Sequence, residues 1–377
     1  MRIAVISTAL VPSGNANSIQ ALKVCQALRQ LGHEVLCLVG GEQASAWEAL
    51  AEPYGLHTRF EIEWVPWNPA WKRYDFVWKA VRRAVAWQAD LVYTWASHAA
   101  ILALLSKKPV LLEAHDLPVG TLGPLWMRAF LRLPGRKVLG PITQALRLAL
   151  EERFPPPLPP EQVVLLPSGV DRERYADLPT SEAARAQLGL LQGLTVGCFG
   201  HLYAGRGGDL FLALAERFPA VRFLWVGGRP EDVQAYRERA AEAGLANVTF
   251  TGFIPNARLA LYQAAADILL MPYERRIAVA GGGNTAAYCS PMKLFEYLAV
   301  GRAILSSDLP VFHEVLDDRN AAFALPEDVE SWADALQHLI QDPAYRQSLA
   351  EQAALAGQRY DLLERERNAL APFLSGG

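Results

Sequence analysis

Ser290-Pro291-Met292-Lys293-Leu294-Phe295-Glu296-Tyr297 puts a helix start, a lysine and a carboxylate within two turns. Ser290 is a good N-cap, Pro291 suits the first helical position, and Gly301 ends the helix. The free N–H groups from Met292 onward form an anion site reinforced by the helix dipole, and Lys293 adds a formal charge. Glu296 lies about 9 Å beyond Ser290 at ~1.5 Å per residue. That carries it from a pyrophosphate toward ribose hydroxyls, where a carboxylate accepts two hydrogen bonds. The same spacing also suits a well-capped surface helix with a solvated glutamate. Gly200 and Gly205-Arg206-Gly207-Gly208 offer a second phosphate contact, with glycine letting backbone approach a ligand and Arg206 pairing with phosphate oxygens. Turn geometry alone would explain the same glycines. The loop does not fit G-x-G-x-x-G with a suitably placed acid, and no G-x-x-x-x-G-K-[ST] sequence occurs. His115 follows the apolar strand Pro109 to Leu112, and a histidine at the carboxyl end of a strand is placed for a cleft. There it would orient an acceptor or move a proton, or else pack and hydrogen-bond as a structural histidine.

These residues need elements to hold them. Ile3-Ala4-Val5-Ile6 is a short apolar strand, Pro12 to Asn17 is a loop, and Ser18 caps a helix whose apolar positions Ile19, Leu22, Ala27, Leu28 and Leu31 keep helical spacing. Gly32 stops the helix, and Val35 to Val39 is the next strand. The grammar restarts at residue 194 with the strand Leu194 to Gly200, a glycine-rich loop from His201 to Asp209, a helix from Leu210 to Arg217 and the strand Arg222 to Gly228. Two alternating β/α halves predict two Rossmann-like domains. The boundary falls near 167–190, after the stiff run Phe154-Pro155-Pro156-Pro157-Leu158-Pro159-Pro160.

The chain's 377 residues suit two domains, and 51% hydrophobic against 20% charged residues excludes a disordered chain. A net charge of −3 excludes bulk nucleic-acid affinity through basicity. No apolar run reaches the length of a membrane span, and the start Met1 to Ser7 does not read as a signal peptide. Cys25, Cys37, Cys198 and Cys289 form no C-x-x-C pair or cluster, which predicts reduced thiols in a cytoplasmic protein. Charge is uneven, +4 over 1–167 and −7 over 168–377, and eight of the ten tryptophans precede residue 127. Within 71–87, Trp71, Tyr74, Trp78, Val81 and Val85 recur at helical steps, with Lys72, Arg73, Lys79, Arg82 and Arg83 on other faces. A second patch, over 125–137, holds Trp126, Arg128, Arg132, Arg136 and Lys137. The pattern fits peripheral contact with an anionic membrane surface, at its inner face. It equally fits an aromatic core stripe flanked by solvated charges.

Leu166-Pro167-Ser168-Gly169-Val170-Asp171, Gly200-His201-Leu202-Tyr203-Ala204-Gly205-Arg206-Gly207, Val226-Gly227-Gly228, Thr251-Gly252-Phe253-Ile254-Pro255 and Ser290 to Tyr297, then Ser307-Asp308-Leu309-Pro310, occur in one order. In these blocks the chain resembles the family 4 (group 1) retaining glycosyltransferases of GT-B fold. The resemblance implies an α/β protein with two Rossmann-like doubly wound domains facing across a cleft. These would be an acceptor domain over 1–168, a nucleotide-sugar domain over 169–355, and a C-terminal helix over 356–377 crossing back near Tyr360-Asp361. It implies that Gly200, His201 and Arg206 meet the diphosphate with the helix start at Ser290, Pro291, Met292 and Lys293. Glu296 would hold the ribose, and backbone at Phe253 and Ile254 would read the base. Gly14, Asn15 and His115 would face the transferred sugar and acceptor.

Two departures stand out. Tyr288 occupies the first of two positions where the family often carries glutamates, so the donor-sugar contact passes to Asn284 or Thr285. His201 stands where an arginine is common, which leaves Arg206 as the clearer diphosphate partner. No Asp-x-Asp occurs, and Asp317-Asp318 reads as a solvated turn. The expectation is therefore hexosyl transfer from a UDP- or GDP-sugar to a hydroxyl acceptor (glycan, lipid-linked or small molecule), with retention and without metal or other cofactor. The leaving diphosphate would be stabilised by Arg206, Lys293 and the helix start. A catalytically degenerate binding protein is the alternative that Tyr288 and His201 suggest. A GT-B sugar-nucleotide epimerase would need carboxylates at the anomeric side, which Tyr288 does not supply. Sequence leaves the oligomeric state open.

Overall fold

The computed structural model describes residues 1–41, 45–71, 73–277 and 285–374. Asn284 and Lys72 lie outside these. The chain divides into two compact units, one of Met1–Ser168 with Leu362–Gly377 and one of Gly169–Asp361. Residues 356–361 thus stay with the second unit.

The first unit carries strands β1 (Arg2–Leu10), β2 (Glu34–Gly40), β3 (Glu61–Val65), β4 (Leu91–Thr94), β5 (Val110–Ala114) and β6 (Lys137–Pro141). All pair in parallel, in the order β3-β2-β1-β4-β5-β6. Ile3, Ala4, Val5 and Ile6 are fully buried, as a parallel strand covered on both faces requires. The second unit carries β7 (Thr195–Phe199), β8 (Arg222–Val226), β9 (Val248–Phe250), β10 (Ile268–Met271), β11 (Ala303–Ser307) and β12 (Ala322–Ala324), ordered β12-β11-β10-β7-β8-β9. Read from β9 this is the same winding. Strand order reverses between β1 and β4 and again between β7 and β10, and ligands of such sheets bind at these switch points, beyond the carboxyl ends. Phe211 anchors the second core, edge-on to Phe223 and Trp225 with centroids 5.4 and 5.1 Å away. Each such ring contributes about 1.5–3 kcal/mol by burial.

Local chemistry moved some expected boundaries. The first helix runs Ala16–Gln30 with Asn15 at its N-cap. Ser18 therefore lies inside the first turn, its hydroxyl donating to the carbonyls of Ser13 and Asn15, and does not cap. The helix at 292 spans Met292–Val300, with extended Pro291 at the N-cap position and no side-chain cap. Ser290 is thus one residue too early to cap, and Pro291 precedes the first turn. The proline run 155–160 leads back to the first sheet, where Val164 N–H donates to the Leu139 carbonyl.

The aromatic stripe of 71–87 does not form core. The helix Tyr74–Ala86 buries Phe76, Val77, Ala80, Val81 and Ala84 instead. Trp71 is 63% exposed and Trp78 50%, and Tyr74 and Val85 are also exposed. Of the expected stripe only Val81 is core. The cations are partly engaged. Arg83 pairs bidentately with Glu63, Lys79 pairs with Asp75, and Arg73 donates to the Thr8 carbonyl. Arg82 lies over the Trp78 ring at 4.6 Å. The second patch is looser. Arg136 reaches the Pro372 carbonyl, and Lys137 is buried on three carbonyls, those of Phe130, Leu131 and Leu133. Trp126 sits 6.4 Å from Tyr74, so the two patches adjoin.

Candidate functional site

In the second unit the switch point lies between β7 and β10. At the end of β7, Gly200 N–H donates to the Val226 carbonyl, and Gly227 N–H donates to the Gly252 carbonyl. This stitches the exits of β7, β8 and β9 into one row. Gly227, at φ +114°, has no room for a Cβ, which would stand 2.6 Å from the Gly200 oxygen. The row carries the chain on to Phe253, 56% exposed, and Ile254, half-buried. Helix Met292–Val300 is fixed against the same edge by Tyr297, whose hydroxyl accepts from Phe199 N–H at 3.1 Å and donates to the Leu270 carbonyl at 3.2 Å.

Lys293, one residue into that helix, brings Nζ to 3.7 Å from where a Cβ on Gly200 would lie. It rests 4.8 Å from the Tyr273 ring centroid, and the Arg206 guanidinium rests 4.6 Å from the same centroid. Arg206 also donates to the Tyr203 hydroxyl. Two cations therefore share one buried aromatic ring beside an exposed glycine and a helix N-terminus. Among the described residues neither has an ion pair. Burial lowers the Lys293 ammonium to about 8, and Arg206 adds repulsion. His201 stacks at 5.8 Å on Tyr203, and burial and Arg206 lower its imidazole, keeping it neutral near pH 7. Its Nδ1 and the Nε of Arg206 are buried without hydrogen-bond partners. An orphaned guanidinium N–H and two cations side by side cost free energy unless an anion joins them.

The other glycines of this loop do a different job from the one expected. A Cβ at Gly207 (φ +75°) would meet the Pro272 oxygen at 2.3 Å, so the loop packs on the chain leaving β10. That packing holds Arg206 over Tyr273. Glu296 is 7% exposed, which excludes the solvated-surface reading, and it accepts from Gln263 Nε2 at 2.8 Å. Gln263 in turn accepts from the Tyr175 hydroxyl. Tyr288 lies in the turn before the helix, where its N–H donates to the Thr285 carbonyl. Asn284 lies outside the described residues. Among the described residues no group of three His, Cys, Asp or Glu side chains could hold a metal ion.

In the first unit Gly14 and Asn15 are exposed in the loop after β1, and His115 follows β5 at the same sheet edge. His115 Nε2 is 2.6 Å from Glu113 Oε1, and Gln20 Nε2 donates to the same oxygen at 2.8 Å. Glu113 is fully buried. Against the burial that would raise it, Arg365 and His115 hold its carboxyl well below the usual carboxylate range. Arg365 comes from the C-terminal helix Leu362–Leu374 and pairs with Glu113 at 2.7 Å.

Sequence reading missed Tyr273, Gln263, Gln20, Glu113 and Arg365. Only Glu113 left a signal, a carboxylate ending an apolar strand two residues from His115. The others are brought in by tertiary packing.

A doubly wound sheet used twice is the architecture of GT-B glycosyltransferases. Solved structures agree over full length. Anabaena HepE in complex with UDP superposes with TM-score 0.76 at 19% identity, covering 100% of both chains. WaaG, a glycosyltransferase involved in lipopolysaccharide biosynthesis, does so with TM-score 0.70 at 19% identity, again covering both chains fully. The model for Glycosyltransferase Family 4 matches residues 18–174, and that for Glycosyl transferases group 1 matches 193–342. The chain belongs to the family 4, or group 1, glycosyltransferases. Among curated relatives, the phosphatidyl-myo-inositol mannosyltransferase of Mycolicibacterium smegmatis is 26% identical over 365 residues, 93% of this chain and 87% of that one. The alpha-galactosylglucosyldiacylglycerol synthase of Streptococcus pneumoniae is 26% identical over 211 residues, 54% of this chain and 52% of that one.

Proposed function

We propose that this glycosyltransferase moves a hexose from a UDP- or GDP-sugar to a hydroxyl of a lipid-linked acceptor, with retention and without a metal. The observation that carries the reading is the pair Arg206 and Lys293 on Tyr273, with no ion pair among the described residues, beside Gly200 and the start of helix Met292–Val300. The departing diphosphate gains charge in the transition state. Fixed cations and free N–H groups aimed at that charge lower the barrier without reorganising. Glu296 serves the ribose and Phe253–Ile254 the base, while Ser290, Pro291 and Met292 border the phosphates and Tyr288 the sugar. Gly14, Asn15 and His115 belong to the acceptor.

Thermal shifts with UDP, GDP, ADP, TDP and CMP, each with and without magnesium, test the donor half. A saturating diphosphate at ~100 times its Kd adds about 2.7 kcal/mol. A shift from one diphosphate that magnesium leaves unchanged supports the reading. A shift only with magnesium refutes metal independence, and binding without turnover favours the degenerate protein that Tyr288 suggests.

The lipid acceptor rests on a second observation. Trp71, Tyr74, Trp78, Leu122 and Leu125 are exposed, Tyr74 lies against Trp126 from the second patch, and Arg82 lies over Trp78. Amphipathic aromatics with arginines partition into an anionic lipid interface. The names of the two relatives, a phosphatidyl-myo-inositol mannosyltransferase and an alpha-galactosylglucosyldiacylglycerol synthase, support it. No helix of the described residues is long and apolar enough to cross a membrane, so contact would be peripheral. Flotation with anionic vesicles at low salt should carry the protein upward, and Trp71→Ala with Trp78→Ala should abolish it. Protein left at the bottom of the gradient refutes the surface.

A further inference from the structure

The reading above places His115 on the acceptor side and leaves open which ring nitrogen faces the acceptor. The network behind the ring answers that. Glu113 Oε1 lies 2.6 Å from His115 Nε2, 2.8 Å from Gln20 Nε2 and 2.7 Å from Arg365 Nη2. Its other oxygen accepts from the Tyr93 hydroxyl. Apart from the histidine, the groups that touch it, Gln20, Arg365 and Tyr93, are donors, and the carboxylate is wholly buried among them. Arg365 is itself held on several sides. Its Nε donates to the Pro167 carbonyl at 2.8 Å, its Nη2 to the Leu166 carbonyl at 3.2 Å, and it is also paired with Glu366.

An ionised carboxylate only accepts hydrogen bonds. The 2.6 Å contact therefore requires the proton on Nε2 of His115. In the neutral ring, Nδ1 then carries the lone pair; the side chain is 37% exposed, and no hydrogen bond among the described residues occupies that nitrogen. Resting on that acceptor-side reading, we propose that Glu113 is the positioning residue that fixes His115 in its Nε2–H tautomer and so presents Nδ1 to a hydroxyl of the acceptor. The hydroxyl donates its hydrogen bond to Nδ1 and is thereby oriented. Gln20 and Arg365 keep Glu113 charged and still, so the ring does not rotate or exchange tautomers when the acceptor arrives. The logic is that of a buried carboxylate behind a histidine in other enzymes, where losing it leaves geometry intact but populates the wrong tautomer.

The test is a long-range proton–nitrogen NMR spectrum of the full chain labelled at histidine, with the His115 signals assigned by their loss in His115→Asn. With its ring neutral, the wild type should show a protonated Nε2 and an unprotonated Nδ1. A protonated Nδ1 would overturn the proposal without any variant having to fold. In Glu113→Gln the amide can donate to Nε2, and the signals should switch to the Nδ1–H form. Transfer from UDP-glucose or GDP-mannose to vesicles containing phosphatidylinositol or diacylglycerol should lose at least tenfold in kcat, with the KM for the nucleotide sugar unchanged. Glu113→Asp should restore the Nε2–H signal and part of the rate. An unchanged tautomer in Glu113→Gln overturns the role of Glu113. A switched tautomer with undiminished transfer overturns the acceptor-side reading of His115 and the presentation of Nδ1 with it. A wild type that gives the Nε2–H spectrum but transfers nothing to either lipid refutes the proposed acceptor class and leaves the tautomer assignment standing.

Discussion

Binding of a nucleoside diphosphate should draw protons from solution, and Lys293 should be the group that takes them up. Burial and the facing Arg206 hold the free ammonium at about 8. A phosphate placed against it favours the charged form and returns it toward the ordinary lysine value of ~10.4. The direction follows. The charge that attracts the phosphate is fully present below pH 8 and is lost as pH rises through 8, so affinity must fall on that side. With those two values, binding at pH 8.5 takes up roughly 0.7 proton, and the dissociation constant rises about tenfold between pH 7 and pH 9, a change of ~1.4 kcal/mol. Calorimetric titration of UDP or GDP in two buffers of different ionisation enthalpy measures the uptake directly. Lys293→Met keeps the length of the side chain without its charge. It should bind more weakly at pH 7 and lose the uptake, and the same titration subtracts the nucleotide's own ionisation. Equal proton uptake in wild type and Lys293→Met, or none in the wild type at pH 8.5, would refute the placement of the diphosphate at this lysine.

The same site and its supports yield three further expectations. Arg206→Ala should weaken nucleotide binding about 10- to 100-fold, the scale of a charge-assisted pair at ~1.5–3 kcal/mol; it should also raise the titration point of Lys293, and unchanged binding in calorimetry would remove Arg206 from the site. Tyr297→Phe leaves the buried Phe199 N–H without its acceptor and should cost ~1–3 kcal/mol in urea unfolding; a loss below half of the lower figure would show the helix is held by packing alone. Burial raises the Glu366 carboxyl to about 7, and its buried Oε2 has no hydrogen-bond partner among the described residues. The folded state therefore binds a proton that the unfolded chain gives up, and stability from this group is present at pH 5 and declines as pH rises to 7. Glu366→Gln should then raise the urea midpoint more at pH 8 than at pH 5, by roughly 1–3 kcal/mol, and equal effects at the two pH values would contradict it.

Sequence alone determined the winding and the place of the helix start near residue 292. Apolar strands ending in small residues, glycine stops and a restart at residue 194 are local signals, each set by backbone sterics and hydrophobic period. The position of Lys293 one turn before Glu296 is likewise a matter of helical rise. Even here the cap slipped by a residue, because Ser290 and Pro291 remain extended and the first turn begins at Met292. What the sequence left undecided is which face of a periodic segment is buried. The stripe Trp71, Tyr74, Trp78 and the stripe Phe76, Val77, Ala80 both keep helical spacing. Only the helix neighbours chose the smaller residues for the core and turned the tryptophans outward. The site's electrostatics belong wholly to tertiary structure. Arg206, Tyr273 and Lys293 are separated by 67 and 20 residues and meet because β7 and β10 are adjacent strands. Glu113 and Arg365 meet across 252 residues because the last helix returns to the first sheet. Charge–charge energies depend on distance and burial, and neither is a function of position along the chain.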